Sequence, residues 1–452
     1  MNLARDIYDI AKQWYTAATW TERDIPDLEG KTIMVTGATD GVGFEAARAF
    51  AEHGARVIIH GRNEDKARRV VEDLRRTASP KAQLEVMICD LTDFDSIKAM
   101  ADDFKSRGWP LHVLLNNAGI QAPADHRGQK TPGGFEVTMS SNFFGPLYLT
   151  YQLLDVLKAT APSRIVWVTS VGSQLVNPPY LGGNSWCPGI DWFMWPGLNW
   201  NDLNWCPGID WFMWPGLNWN DLKGSQYPDS DWWQYSRTKL MNLMTGKEMA
   251  RRLAGSGVEV FIAHPGLTRT DHFGKADTDA KKSSAGVEAF ANSFWGTDAC
   301  MGAIPLMFAS TEPTLKGRSG SFIGSPQLGL VNYFQAGIIP TPNPPLARDP
   351  WACRRLLDAS LAILKEVDPA LPNADISPDG KVLLDHDFGS KVLPADGTSG
   401  GAALPGLGPR SKGLGIHDAQ GITGRGATNI GRRPTPFLAA IRYAFMDAPK
   451  DI

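Results

Sequence analysis

Between residues 31 and 55 the chain reads KTIMVTGATDGVGFEAARAFAEHGA, a short apolar run, a glycine-rich turn and an amphipathic stretch that stops at Gly54. The apolar run predicts a buried strand over residues 31–37, and the stretch 44–55 predicts the helix that follows it. Gly37, Gly41 and Gly43 fall in the turn, among Thr36, Thr39, Asp40 and Val42. Missing side chains at such a turn let the backbone approach a pyrophosphate at the helix N-terminus, the device by which a doubly wound α/β fold holds a dinucleotide. An ordinary glycine turn has similar letters, so the weight rests on the strand–turn–helix setting.

Residues 55–62, ARVIIHGR, predict the second strand, and the residue type at its end selects the cofactor. An acidic side chain there would hold a ribose 2′-hydroxyl. This strand ends instead in His60-Gly61-Arg62, with Lys66 one turn into the next helix. Arg62 suits a 2′-phosphate, which favours NADP(H) over NAD(H). Asp40 in the glycine loop opposes a nearby phosphate, and Arg62 and Lys66 also fit plain solvated charge at a helix start.

Some two hundred residues downstream, YSRTK sets Tyr235 and Lys239 four apart, hence on one helix face. A neighbouring ammonium favours phenolate, so Tyr235 is expected to exchange a proton near neutral pH. A lone Tyr-x-x-x-Lys occurs on many surface helices, and it gains meaning here from the glycine-rich turn upstream.

With these motifs in order, the chain resembles the short-chain dehydrogenase/reductases, nearest to the retinol-dehydrogenase-like and WW-domain-oxidoreductase-like members. The resemblance covers roughly residues 28–365 and rests on TGATDGVG, GRNEDKA, CDLTD, LLNNAG, NFFG, VTS, YSRTK and HPGLTRT in that order. It implies a catalytic tetrad of Asn142, Ser170, Tyr235 and Lys239. It also implies an adenine contact at Asp90, with Leu91 beside it, and a cofactor cleft lined by Asn116, Asn117, Ala118 and Gly119. Pro265 and Gly266 would open a cofactor-side loop in which Thr270 bonds the nicotinamide carboxamide. In those roles Ser170 holds the substrate oxygen, Tyr235 moves the proton, Lys239 lowers the phenol pKa and binds ribose, and Asn142 fixes a water. Each has a blander counterpart: Ser170 as a strand end, Asn142 as a helix cap, His264 as packing at the end of its strand.

The most unusual stretch is WCPGIDWFMWPGLNWNDL, which occupies residues 186–203 and recurs letter for letter at 205–222. With Trp232 and Trp233 this region holds ten of the sixteen tryptophans, which suits an apolar wall over a substrate cleft or a surface that binds another protein. The second copy runs into the approach to the YSRTK helix, so the first copy reads as the extra one, from a tandem duplication or an error in the gene model.

The remaining segments frame this domain. Leu3, Ile7, Ile10, Trp14 and Ala18 predict an N-terminal amphipathic helix within residues 1–27 that packs on its own domain or on a partner. Phe273, Phe290 and Phe294 are candidate pocket residues, residues 319–324 a last strand, and residues 347–364 a closing helix. From residue 366 onward proline and glycine accumulate, which predicts a mostly disordered tail, with FLAAIRYAF as one short docking helix. A net charge of −3 gives no bias toward nucleic acid, and no apolar run is long enough to span a membrane. Five scattered cysteines without paired metal spacing fit a reducing, cytoplasmic setting and no metal site. Peripheral membrane contact and a homo-oligomer stay compatible with the sequence.

The expectation is therefore a doubly wound Rossmann fold around a central parallel sheet, carrying an NADP(H)-dependent oxidoreductase for small apolar carbonyls or alcohols. The competing reading is a non-catalytic or weakly catalytic dinucleotide-binding scaffold whose tryptophan-rich insert binds a protein.

Overall fold

The computed structural model describes residues 20–121, 129–170, 172–173, 217–225, 231–266, 268, 298–324, 339–340 and 344–374. The N-terminal helix, the first copy and most of the second, Thr270, the three candidate pocket phenylalanines and the chain beyond 374 lie outside the described residues.

Seven parallel strands, β1 (Thr32–Val35), β2 (Arg56–Gly61), β3 (Gln83–Ile88), β4 (Val113–Asn116), β5 (Ser163–Val168), β6 (Val258–His264) and β7 (Phe322–Gly324), form one sheet. An eighth, β8 (Ile339–Pro340), pairs antiparallel with β7, and the order is β3-β2-β1-β4-β5-β6-β7-β8. Helices α1 (Gly41–Glu52), α2 (Glu64–Leu74), α3 (Phe94–Ser106), α4 (Gly145–Gln152), α5 (Leu154–Ala159), α6 (Asp231–Arg252), α7 (Ala299–Thr311) and α8 (Pro350–Val367) complete the layers used below.

Strand side chains alternate between two cores because their period is two. Ile33, Val35, Val57, Ile59 and Phe261 pack with residues of α1, α2 and α7, while Met34, Ile58, Leu114, Trp167 and Ile262 pack with residues of α3, α4, α6 and α8. Both faces of the sheet are covered, which is why these strands read as near-continuous apolar runs. The reversal of strand order between β1 and β4 opens a crevice at the carboxyl ends of the strands, the usual ligand position in such sheets.

The boundaries differ from expectation at both ends of the domain. Trp20 and Ile25 are buried, and Trp20 Nε1 donates to Glu312 Oε2 at 3.0 Å, so packing begins before residue 28. At the other end α8 runs to Val367, Tyr148 Oη donates to Asp368 Oδ2 at 2.7 Å, and Leu371 and Ala374 are buried. The segment just past residue 365 thus carries core contacts that its composition hides. Helix α8 is held on α6 by a buried ionic cluster: Arg252 Nε donates to Glu248 Oε1 at 2.8 Å and Arg252 Nη2 to Asp358 Oδ1 at 2.6 Å. Removing one member of such a buried pair typically costs about 3–5 kcal/mol.

The end of the second copy is docked. Leu217 and Leu222 are buried, the Arg355 guanidinium stacks 4.5 Å from the Trp219 ring centre, and Lys223 Nζ meets Glu366 Oε2 at 3.0 Å.

Candidate active site

Helix α1 begins at Gly41, earlier than the apolar pattern suggests, because Asp40 caps it by accepting the Gly41 amide at 2.8 Å. Capping of this kind satisfies one of the orphan N–H groups of the first turn. Gly37 lies in the left-handed region at φ +66, and a Cβ there would sit 3.0 Å from the Ala118 backbone. The turn therefore tolerates no side chain on the side facing β4, leaving a bare backbone cradle at the helix N-terminus that suits a pyrophosphate.

Buried Thr36 ties the turn to the end of β4: its Oγ1 accepts the amides of Asn117 at 2.9 Å and Ala118 at 3.0 Å. The Asn117 side chain is spent on the same joint, donating to Thr36 O at 2.9 Å. Asp90 likewise accepts both the amide and the hydroxyl of Thr92 at 2.8 Å, while Leu91 is buried beneath it. A further tie has no sequence signal: His60 Nδ1 accepts the Gly37 amide at 3.3 Å while its Nε2 lies 3.1 Å from Cys89 Sγ. Burial pushes His60 down to about 4, so the ring is neutral and serves as an acceptor. His264 repeats the device at the end of β6, with its pKa also lowered to about 4 by burial and its Nδ1 accepting the Gly266 amide at 3.1 Å.

The two cations at the end of β2 are not equivalent. Lys66 Nζ bonds Asp40 Oδ2 at 2.8 Å, with both side chains a little under half exposed. This pairing offsets the acidic charge in the glycine loop. Arg62 is exposed and has no ionic partner among the described residues.

At the carboxyl end of β5, Ser170 is fixed by a tight turn in which its Oγ accepts the Gly172 amide at 3.2 Å and its carbonyl accepts the Ser173 hydroxyl at 2.7 Å. Tyr235, on α6, lies close enough to Ser170 for that side chain to favour its ionised form. Lys239, one turn on, places Nζ 5.5 Å from the Tyr235 ring centre and donates to Val168 O at 3.2 Å. Helix and strand are stitched together by Thr169 Oγ1, which donates to Lys239 O at 2.5 Å. A Cβ on Gly119 would come within 3.0 Å of Lys239 Nζ, so the glycine leaves room for the ammonium.

Asn142 lies in a π-helical segment, Ser140–Phe144, immediately before α4. Such a bulge re-aims side chains and is frequent at functional sites. Its amide makes a two-point bond to the Ile120 backbone, accepting from N and donating to O at 2.7 Å each, and also donates to Thr238 Oγ1 at 3.2 Å. Asn142 thus braces the chain just after Gly119, and the Asn142 carbonyl accepts from Asn242 Nδ2 at 3.1 Å.

Electrostatically the pair departs from the sequence expectation. Burial pushes the Tyr235 phenol up to about 12, opposed by the Ser170 side chain, and burial pulls Lys239 down to about 8. Both shifts come from burial, which disfavours charge, and that desolvation outweighs any pull of the ammonium on the phenol. At neutral pH the Tyr235 phenol therefore keeps its proton. Pro265 and Gly266 follow β6 on the same edge of the sheet.

A family model described as short chain dehydrogenase matches residues 31–181. Retinol dehydrogenase 12 of Homo sapiens is 32% identical over 245 residues, covering 54% of this chain and 63% of its own length. The chain thus spans less than two thirds of that relative. Short-chain dehydrogenase/reductase bet4 of Neocamarosporium betae is 31% identical over 315 residues, 68% of this chain and 78% of its own. WW domain-containing oxidoreductase of Danio rerio is 29% identical over 343 residues, covering 75% of this chain and 70% of its own length. Among solved structures, an uncharacterised protein from Mycobacterium Paratuberculosis superposes with a TM-score of 0.51 at 26% identity, over 77% of this chain and 97% of that one.

Proposed function

The chain belongs to the short-chain dehydrogenase/reductase family, and from that premise we propose that it is an NADP(H)-dependent oxidoreductase acting on apolar carbonyl or alcohol substrates. The observation that carries the reading is Tyr235 with Lys239 one turn on along the same helix and Ser170 near enough to act on the phenol, at the sheet edge that also holds the bare glycine turn. A bound nicotinamide dinucleotide would supply or accept the hydride. In reduction Ser170 holds the carbonyl oxygen and Tyr235, still protonated at neutral pH, gives it the proton. Lys239 and the glycine turn hold the dinucleotide, and Asn142 fixes the backbone against which Lys239 lies.

The name of retinol dehydrogenase 12 supports a lipophilic aldehyde, ketone or alcohol, retinoids included, as does the tryptophan-rich flank. Calorimetric titration with NADPH, then a screen of NADPH oxidation against apolar carbonyls, tests the assignment. Absence of NADPH binding sinks it. Preference for NADP(H) rests on Arg62: Arg62→Ala should weaken NADPH by about 1.5–3 kcal/mol, the scale of a charged hydrogen bond, and hardly change NADH. Equal losses for both would make Arg62 structural.

We further propose that the second copy supplies the native wall of the site, because its end is docked in the core. Deleting residues 186–204 removes one period and leaves that docking intact. Folding and NADPH turnover should persist, with solubility equal or better. Loss of turnover in a folded, NADPH-binding deletion would instead place the first copy in the substrate site.

A further inference from the structure

Glu136 is a fully buried carboxylate, far in sequence from YSRTK, with three donors converging on it. Its Oε1 accepts the Thr138 amide and its Oε2 the Met139 amide, each at 2.9 Å, capping the helical run that carries Asn142. The same Oε2 accepts Gln234 Nε2 at 3.1 Å, and Gln234, itself fully buried, is the residue immediately before Tyr235. The Glu136 amide in turn donates to Lys223 O at 2.9 Å, where the second copy ends. Gly224 sits at φ +72, and a Cβ there would press on Gln234 and on Met139. Three distant segments therefore meet at one residue: the helix bearing Asn142 and the start of the helix bearing Tyr235 at its carboxylate, and the exit of the tryptophan-rich stretch at its backbone amide.

Burying a carboxylate is costly unless its lone pairs are satisfied, and a charged acceptor makes the stronger bond to each donor. An apolar residue with a neutral helix cap would do for packing alone. The arrangement suits a different need, because the place of Tyr235 relative to Ser170 must be kept to within a fraction of an ångström for it to pass a proton to the oxygen that Ser170 holds. We infer that Glu136 is a positioning residue that fixes the first turn of α6 through Gln234, setting Tyr235 against Ser170 and coupling that geometry to the docked end of the second copy. The inference rests on the oxidoreductase reading.

Single substitutions at Gln234 remove the link without touching the cap. Gln234→Ala should lower kcat by about 10-fold, as misplacement of a reacting group does, with the Kd for NADPH within about twofold. Gln234→Glu sets two carboxylates face to face and should be worse. Adding Glu136→Gln restores a donor opposite an acceptor, at the cost of the cap bond to the Met139 amide, and should recover part of the loss, a coupling that two independent structural defects do not show. Hydrogen exchange over residues 231–240 should follow the same order, rising in Gln234→Glu and falling back in the double variant. That readout needs no turnover, so it separates failure of this inference from failure of the oxidoreductase assignment. Wild-type kcat and exchange in Gln234→Ala, or a double variant no better than Gln234→Glu, overturns the inference. If Gln234→Ala does not fold, Gln234→Met carries the same comparison with the volume filled.

Discussion

Tyr235→Phe is expected to lower turnover by ~100-fold or more while NADPH binding is largely kept, since the ring and its packing stay and only the proton donor goes. The helix that carries the ring does not depend on the hydroxyl: Thr238 donates to the Tyr235 carbonyl, and Thr169 to that of Lys239. A loss of activity with unchanged thermal midpoint and unchanged NADPH affinity is therefore the signature sought. Near-normal turnover would remove Tyr235 from the chemistry. The pH dependence should be directional as well. With burial holding the phenol up to about 12, carbonyl reduction should run level through neutral pH, whereas alcohol oxidation, which needs Tyr235 to accept a proton, should climb as the medium becomes alkaline.

Much of this site is legible in the chain because its parts are local. Strand β1, the glycine turn and helix α1 are contiguous, and their apolar period and glycine spacing write the cofactor cradle directly. Tyr235 and Lys239 need only the helical repeat to face one another. What sequence does not carry is whatever depends on a partner far along the chain. His60 reads as a residue in an apolar strand until β1 brings Gly37 to its ring. Asp40 reads as a repulsive charge in a phosphate loop until Lys66 reaches back to it. Asn117 reads as a cleft-lining side chain, yet its amide closes the Thr36 joint. The acidity of Tyr235 follows the same rule: spacing supplies the neighbouring ammonium, but the desolvation that outweighs it comes from packing, which no short window records. At the end of α8 the composition turns toward loop, and only Tyr148, Gln152 and Lys158, each more than two hundred residues away in sequence, reveal that the segment docks.

Lys239→Met should abolish most activity and at the same time make the protein more stable at neutral pH. The ammonium is almost fully buried, and burial lowers its pKa from the ordinary 10.5 to about 8. For a lysine whose folded value lies below its unfolded one, the unfolded chain binds the proton more readily, so stability rises with pH across that interval. The penalty is present in full below about 8 and fades as pH approaches 10.5. Methionine fills a similar volume without charge and should recover a stabilisation on the order of a few kcal/mol at pH 7, an advantage that shrinks by pH 10. One bond is lost in exchange, the 3.2 Å contact to Val168 O, whose oxygen keeps a longer partner in Asn242 Nδ2 at 3.4 Å. Function should move the other way, because the same cation is proposed to hold the ribose and to support Tyr235, so both NADPH affinity and turnover should fall. Thermal unfolding at pH 7 and pH 10, beside NADPH titration, separates the two effects. A variant that is destabilised at pH 7 would show that the ammonium is a structural tie, and one that keeps NADPH affinity would remove Lys239 from the cofactor site.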